Sequence, residues 1–219
     1  MNDMIAIFLK TYDFRKNPFF VDLSNGEMSF DEFIRTQEQF YYAVTNFASP
    51  LALVAANLPD YKNRLKILKN LWEEHGEGNL DDTHGATFTE LVRRLTGNTN
   101  VNFPNAEAPV LLFNSTLDGI CRHHHYMKGI AALGMIERMF ADISHFIGTA
   151  IVERGWLPNE RLIHYTVHQK LDTQHAEDFF SIVRPHYDTH RDSIDEGLML
   201  GALTFLQLYQ QLREKSRKA

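Results

Sequence analysis

The sequence predicts an all-α protein in which residues 1–219 form one domain. Three observations carry this. Apolar residues recur at helical spacing, as in Phe33, Phe40, Phe47 and Leu51. Helix start and stop signals punctuate the chain, from Ser29 with Glu32 three residues on to Thr96-Gly97-Asn98. No run of alternating strand pattern, no repeat and no low-complexity linker interrupts them.

The elements follow in order. The Ser29/Glu32 capping box opens a helical segment from Phe30 to Asn57, and Pro50 predicts a kink or break within it. Pro59 and Asp60 open the next helix, which runs to about Gly76 or Gly78. A glycine-containing irregularity at residues 75–79 precedes a helix to about Leu95, closed by Thr96-Gly97-Asn98. Residues 101–109 read as loop. Helices from about Glu107 to Tyr126 and from about Lys128 to Arg154 come next. Gly155-Trp156-Leu157-Pro158 punctuates, with Pro158 fitting the first turn of a helix that ends near Arg184-Pro185. A last helix spans about Arg191 to Lys215. The expectation is a compact bundle of seven or eight helices.

Composition narrows the function. A chain of 219 residues with 44% hydrophobic and 23% charged residues is an ordinary globular protein, long enough to bury a sizeable core. The formal charge of −6 argues against broad nucleic-acid binding, and the basic end from Arg213 to Lys218 reads as a solvated helix terminus. The single cysteine, Cys121, rules out an intramolecular disulfide and suits a reducing cytoplasm. The start lacks the basic n-region of a signal peptide, and no run of 18 apolar residues exists to span a membrane.

The chemistry concentrates in one stretch. His168, Asp172 and His175 form H-x3-D-x2-H, and at about 100° per residue these steps place all three on one helical stripe roughly 60° wide. Two imidazoles and a carboxylate are costly to bury unless a cation faces them, and this donor set suits iron. Other ligands must come from facing helices. Glu77 and His84, seven residues apart, share a face if the helix runs on or is only mildly distorted near Gly78. Glu73, Glu74, His75, Asp81 and Asp82 compete nearby. Glu137 is the lone acid between Asp118 and Asp142 in an otherwise apolar helix, so it needs a buried partner. The six candidates Glu77, His84, Glu137, His168, Asp172 and His175 supply three carboxylates and three imidazoles. Two ferrous ions would leave a net charge of about +1, suited to an anionic substrate or reduced oxygen. Zinc favours fewer ligands; manganese fits the same donors.

This pattern resembles the haem-oxygenase-like di-iron oxidases. Within the wider superfamily it looks like the pyrroloquinoline-quinone synthase, thiaminase-II and death-domain-associating-protein-like proteins. The resemblance rests on Glu77 and His84 as E-x6-H, on mid-helix Glu137, and on His168, Asp172 and His175; the opening from Asn17 to Val44 also matches. It covers about Asn17 to Leu208. It implies a seven-helix bundle around a central pocket, without haem, housing an O2-activating enzyme that acts on a small carboxylate or amino acid. A subgroup that makes p-aminobenzoate from its own side chains resembles this chain in its ligands. That subgroup has a tyrosine just before the middle glutamate and a lysine about ten residues after, where this chain has Ile136 and Ile147. The thiaminase-II subgroup uses a nucleophilic cysteine whose setting Cys121 does not match, and the quinone-synthase subgroup works without metal.

Other residues are weighed against plainer roles. His164, one turn before His168, either orients a ligand or caps the stripe at the solvent edge. His123-His124-His125 point about 100° apart and cannot converge on one ion, so they read as surface. Tyr41 and Tyr42, on the helix expected to line the pocket, are the candidate catalytic residues. Phe33, Phe40, Phe47, Phe140 and Phe146 read as core or cavity wall.

The leading expectation is a cytoplasmic non-haem di-iron oxidase or oxygenase, with O2 as co-substrate and a small-molecule substrate held through a carboxylate. One alternative is a metal-free oxidase or thiaminase-like hydrolase on the same fold. Another is a non-enzymatic metal-binding or partner-binding helical protein. Neither a nucleic acid nor a membrane is an expected partner. The fold is compatible with a homodimer, by helix exchange or an isologous face, but no residue pattern picks one out.

Overall fold

Local signals set the order of the helices. The structure, a computed structural model, describes the backbone of residues 1–218 and their side chains except those of Ile163 and residues 166–170. Two short helices precede Ser29: α1 (Asn2–Thr11) and α2 (Pro18–Asn25). The Asn17 side chain accepts from Phe19 N at the head of α2, Pro18 needs no amide partner there, and Gly26 ends it at φ +87°. Helix α3 (Phe30–Asn46) carries the expected capping box: Glu32 N donates to Ser29 Oγ (3.2 Å), and Ser29 N donates to Glu32 Oε2 (2.7 Å). The break expected near Pro50 falls at Phe47, and α4 (Ala48–Asn57) begins just after it. Pro50 therefore lies in a first turn, where its missing N–H costs nothing. Asp60 caps α5 (Tyr61–Glu74) by accepting from Asn63 N.

Thr83 caps α6 (His84–Thr96), and Gly97, at φ +70°, ends it where expected. Helices α7 (Ala108–His123), α8 (Tyr126–Glu153), α9 (Ile163–Val183) and α10 (Arg191–Ser216) complete the chain. Pro158 lies before α9, not in its first turn; a 3-10 turn at Asn159–Arg161 intervenes. The described residues thus hold ten α-helices. The excess over seven or eight comes from α1, α2 and the division of α3 from α4.

The core forms around α8. Its 28 residues are buried on nearly every side, and α9 and α10 pack along it. Small residues set the approach. A Cβ on Gly197 or Gly201 of α10 would lie 2.4 Å from the carbonyl oxygens of Lys128 and Ala132, and one on Gly134 would meet Phe179 and Phe180 at 2.9 Å. An aromatic cluster of Phe19, Phe20, Phe40, Phe205 and Tyr209 joins α2, α3 and α10. Each such ring contributes about 1.5–3 kcal/mol on burial. At the rim Arg213, 2% exposed, donates to Asp22 Oδ2 (2.6 Å) and pairs with Glu32 Oε1 (3.0 Å), tying α10 to α2 and α3. Among the described residues no helix is long and apolar enough to cross a membrane.

Candidate metal centre

Three ionisable side chains from three helices meet in the core. Glu74 ends α5, Glu137 lies midway along α8 and His175 lies in α9. Each offers one ligand atom, and the three atoms lie within 4.8 Å of one another. All three are buried. Around them, His84 Nδ1 forms a very short hydrogen bond to Glu74 Oε2, and His175 Nε2 donates to Glu73 Oε2 at 2.9 Å. Asp172, 1% exposed, lines the same cavity as Glu74, His84 and Glu137. Five ionisable side chains thus gather here: Glu74, His84, Glu137, Asp172 and His175.

Glu77 is not among them. The sequence expectation required α5 to run on through residue 77, but Gly76, Glu77 and Gly78 all have positive φ (62°, 53° and 90°) and the helix stops at Glu74. The left-handed turn resets the helical phase and leaves the Glu77 side chain exposed. Glu74 occupies the inner position instead, ten residues before His84. The signal for it was present: Ile67, Asn70 and Glu74 are the buried residues of α5, at steps of three and four. The His168 side chain lies outside the described residues.

Burial and the neighbouring charges shift the ionisation of the groups at the cluster. Burial pushes the Glu137 carboxyl up to about 7, with the Asp172 charge adding to it. Burial also lifts Asp172 well above the carboxylate range, against the pull of His84 and His175. The imidazoles move the other way from what burial alone dictates. Burial lowers His175, but Glu137, Glu73 and Asp172 raise it to about 10; Glu74, Asp172 and Glu137 likewise raise His84. Among the described residues Glu137 Oε1 and His175 Nδ1, 3.7 Å apart, are buried without hydrogen-bond partners. Asn70, one turn before Glu74, also has both polar side-chain atoms buried and unpartnered. Carboxylate and imidazole donors, with unpartnered atoms aimed at one point, fit iron or manganese.

His164 is buried, not at the solvent edge. Thr87 Oγ1 donates to His84 O, so His164 Nδ1 is the donor in its 3.1 Å contact with that hydroxyl, which fixes the start of α6. The tyrosines lie farther out. Tyr42 donates its hydroxyl to Pro104 O (2.6 Å), and Tyr41 stacks on Phe103 at 3.7 Å between centroids. Tyr42 lines neither cavity at the cluster; Tyr41 lines the outer one. Cys121 is fully buried, and burial with the nearby Asp118 pushes its thiol up to about 12, which makes it a poor nucleophile. His125 caps α8 by accepting from Met127 N, and His123 and His124 are exposed as expected.

Two cavities meet at the cluster. The inner one, about 30 Å³, is walled by Phe40, Phe47, Phe113, Phe140 and Phe205. It has room for a diatomic or one or two waters. The outer one, about 400 Å³, includes Tyr41, Thr45 and Thr89, and shares Val44, Glu74 and His84 with the inner. A separate surface cleft of about 440 Å³, beside Phe146 and Arg154, shares no residue with either.

Known proteins resemble the chain at two levels. Over 187 residues it is 26% identical to 4-aminobenzoate synthase of Nitrosomonas europaea, covering 80% of this chain and 74% of that one. Among solved structures it superposes on a TenA homologue of P. horikoshii OT3 (TM-score 0.73, 11% identity, 97% and 98% of the two chains). It also superposes on a protein of Shewanella denitrificans OS217 with a haem-oxygenase-like fold (TM-score 0.74, 13% identity, 99% and 91%). The bundle thus has the haem-oxygenase-like fold that the sequence pattern implied. The profile of the iron-containing redox enzymes matches residues 35–210, which include every donor of the buried cluster, and the chain belongs to that family.

Proposed function

We propose that the protein is a non-haem di-iron oxidase or oxygenase acting on a small, carboxylate-bearing metabolite. The observation that carries this is the buried convergence of Glu74, Glu137 and His175, with Asp172 and His84 beside them. Five such donors exceed what one ion needs, and His168 on α9 is the natural sixth. Glu74, Glu137, Asp172 and the imidazoles of His84 and His175 would hold the ions. Ferrous iron bound there would supply the electrons for O2 activation.

The protein's own residues do the rest. The phenylalanine walls exclude bulk water, so that reduced oxygen is not lost to solvent protons. The inner cavity is of a size for O2, and the larger outer cavity beside Tyr41, Thr45 and Thr89 is of a size for a small organic substrate, which supports substrate binding there. His164 donates to Thr87, whose hydroxyl in turn holds the His84 backbone carbonyl and so steadies the start of α6. Anaerobic ferrous titration should saturate at two irons per chain, and the loaded protein should consume O2. Saturation at one iron or none, or O2 consumption unchanged in a Glu74→Ala, Glu137→Ala variant, would refute the reading.

The likeness to 4-aminobenzoate synthase favours a second reading, in which an aminobenzoate is the product. The buried residues where the resembling subgroup carries its tyrosine and lysine are Ile136 and Ile147, which have neither hydroxyl nor amine to donate. Mass spectrometry of iron-loaded protein exposed to air separates the readings: release of 4-aminobenzoate, with matching loss from the chain's own mass, supports the second. The thiaminase-like alternative loses its nucleophile to the burial of Cys121.

A further inference from the structure

Three imidazoles meet at the surface where α8 and α10 begin. His125 and His190 are the N-cap residues of those two helices, and their rings stack at 4.9 Å between centroids. His186 ends the 3-10 turn Arg184–His186, and its ring lies 6.1 Å from that of His190, nearly perpendicular to it. His190 N donates to His186 O (2.9 Å), so these two residues stand one α-type turn apart. That H-x3-H spacing sets both side chains on one face. His125 and His186 are exposed and His190 is half-buried. None of the three lines either cavity at the buried cluster.

We propose that His125, His186 and His190 form a second metal site, open to solvent, that takes a zinc ion. The donor set separates it from the buried centre. Imidazoles without carboxylates suit zinc, whereas the carboxylate-rich centre suits iron or manganese. Imidazoles that share one ion at about 2.1 Å place their ring centres roughly 5–6 Å apart. The separations of 4.9 Å and 6.1 Å from His190 are close to that spacing. His186 closes the set by a side-chain rotation, which its exposure leaves open.

A hydroxyl already orients the central ring. Thr189 Oγ1 donates to His186 O (3.1 Å), so His190 Nδ1 is the donor in its 2.9 Å contact with that hydroxyl. The proton on Nδ1 leaves the lone pair on Nε2, where a metal binds. Fixing the tautomer of an imidazole through its other nitrogen is how proteins hold a zinc-binding histidine. Two terms oppose the ion. His125 must give up the 3.3 Å bond in which its Nδ1 accepts from Met127 N, a long bond at an exposed turn. The positive ends of two helix dipoles also face a cation here, and Asp192 in the first turn of α10 offsets one of them. An ion so held would tie the start of α8, the helix that carries Glu137, to the start of α10.

Calorimetric titration with zinc sulfate tests this apart from any iron. The native protein should show a micromolar zinc site that both His186→Gln and His190→Gln abolish, with helix content by circular dichroism unchanged. Thr189→Val should weaken it roughly tenfold, by releasing the tautomer. His123→Gln with His124→Gln, which alters the neighbouring exposed imidazoles, should leave it intact. So should Glu137→Gln, which alters only the buried centre; failure of the iron reading therefore leaves this result untouched. Zinc uptake that survives His186→Gln or His190→Gln, that is lost with His123 and His124, or that disappears in Glu137→Gln would overturn the proposal, as would no uptake at all.

Discussion

The Glu137 carboxyl and the His175 imidazole face each other across 3.7 Å, too far to hydrogen-bond, and among the described residues Glu137 Oε1 and His175 Nδ1 have no other hydrogen-bond partner. Two buried polar groups this close but not joined can both reach one shared ion. Without a metal, protons compensate: Glu137 titrates near 7 and His175 near 10. Both pKa values are raised, so both groups carry protons near neutrality that ligation must displace. Iron uptake should release roughly one or two protons per chain, and affinity should rise from pH 6 to pH 8. Calorimetry in two buffers of different ionisation enthalpy measures this. Proton uptake on binding, or affinity that falls with pH, would contradict it.

Glu74 and Glu77 make opposite predictions. Glu74→Gln removes a buried carboxylate that ends α5 against His84, and should cost at least one iron per chain. Glu77→Gln changes an exposed side chain and should leave iron content and thermal stability unaltered. Iron assay of the two purified variants decides between the inner and outer glutamate.

Packing of α10 on α8 predicts a stability effect. Gly201 lies where an added Cβ would fall 2.4 Å from the Ala132 carbonyl oxygen, and backbone cannot swing aside as a side chain can. Gly201→Ala should destabilise the fold by about 1–3 kcal/mol, despite alanine's better helix propensity. Gly119→Ala, on α7 with nothing within 4 Å, should be neutral or slightly stabilising. Urea midpoints compare the two.

Arg213 closes the opposite end of the bundle. Its removal strands Asp22, 4% exposed, with Arg217 as the remaining cation, so Arg213→Ala should cost about 3–5 kcal/mol. The same cluster sets an acid limit. Burial raises the Glu32 carboxyl, but the Ser29 amide and Arg213 outweigh it and hold it at about 2, against 4.5 when free. A depressed carboxyl stabilises above its unfolded pKa, and that stability is lost as the pH falls from 4.5 towards 2. Acid unfolding of Arg213→Ala should therefore begin at higher pH than in the native protein.

Most of the fold was legible because helices announce themselves locally. The Ser29/Glu32 box, Asp60, and Gly97 each marked a boundary that the structure keeps. Glu137 was legible as the lone acid between Asp118 and Asp142 on a largely apolar helix, and it is 3% exposed in the core. Glu77 misled because spacing carries meaning only while helical phase is kept. Two glycines able to adopt positive φ could either be absorbed into α5 or turn the chain outward, and sequence periodicity cannot choose. Tyr42 misled for a different reason. Its helix does line the pocket, but which hydroxyl turns inward depends on the 101–107 loop, whose Pro104 carbonyl captures it.

The central claim is that Glu74, Glu137 and His175 converge on a pair of irons. An anomalous-scattering map at the iron edge, from crystals loaded anaerobically with ferrous ion, tests it most directly. Two peaks about 3.5–4 Å apart between α5, α8 and α9, with Glu74 in contact and Glu77 in solvent, are the predicted result. A single peak, no peak, or iron bound to Glu77 would contradict it.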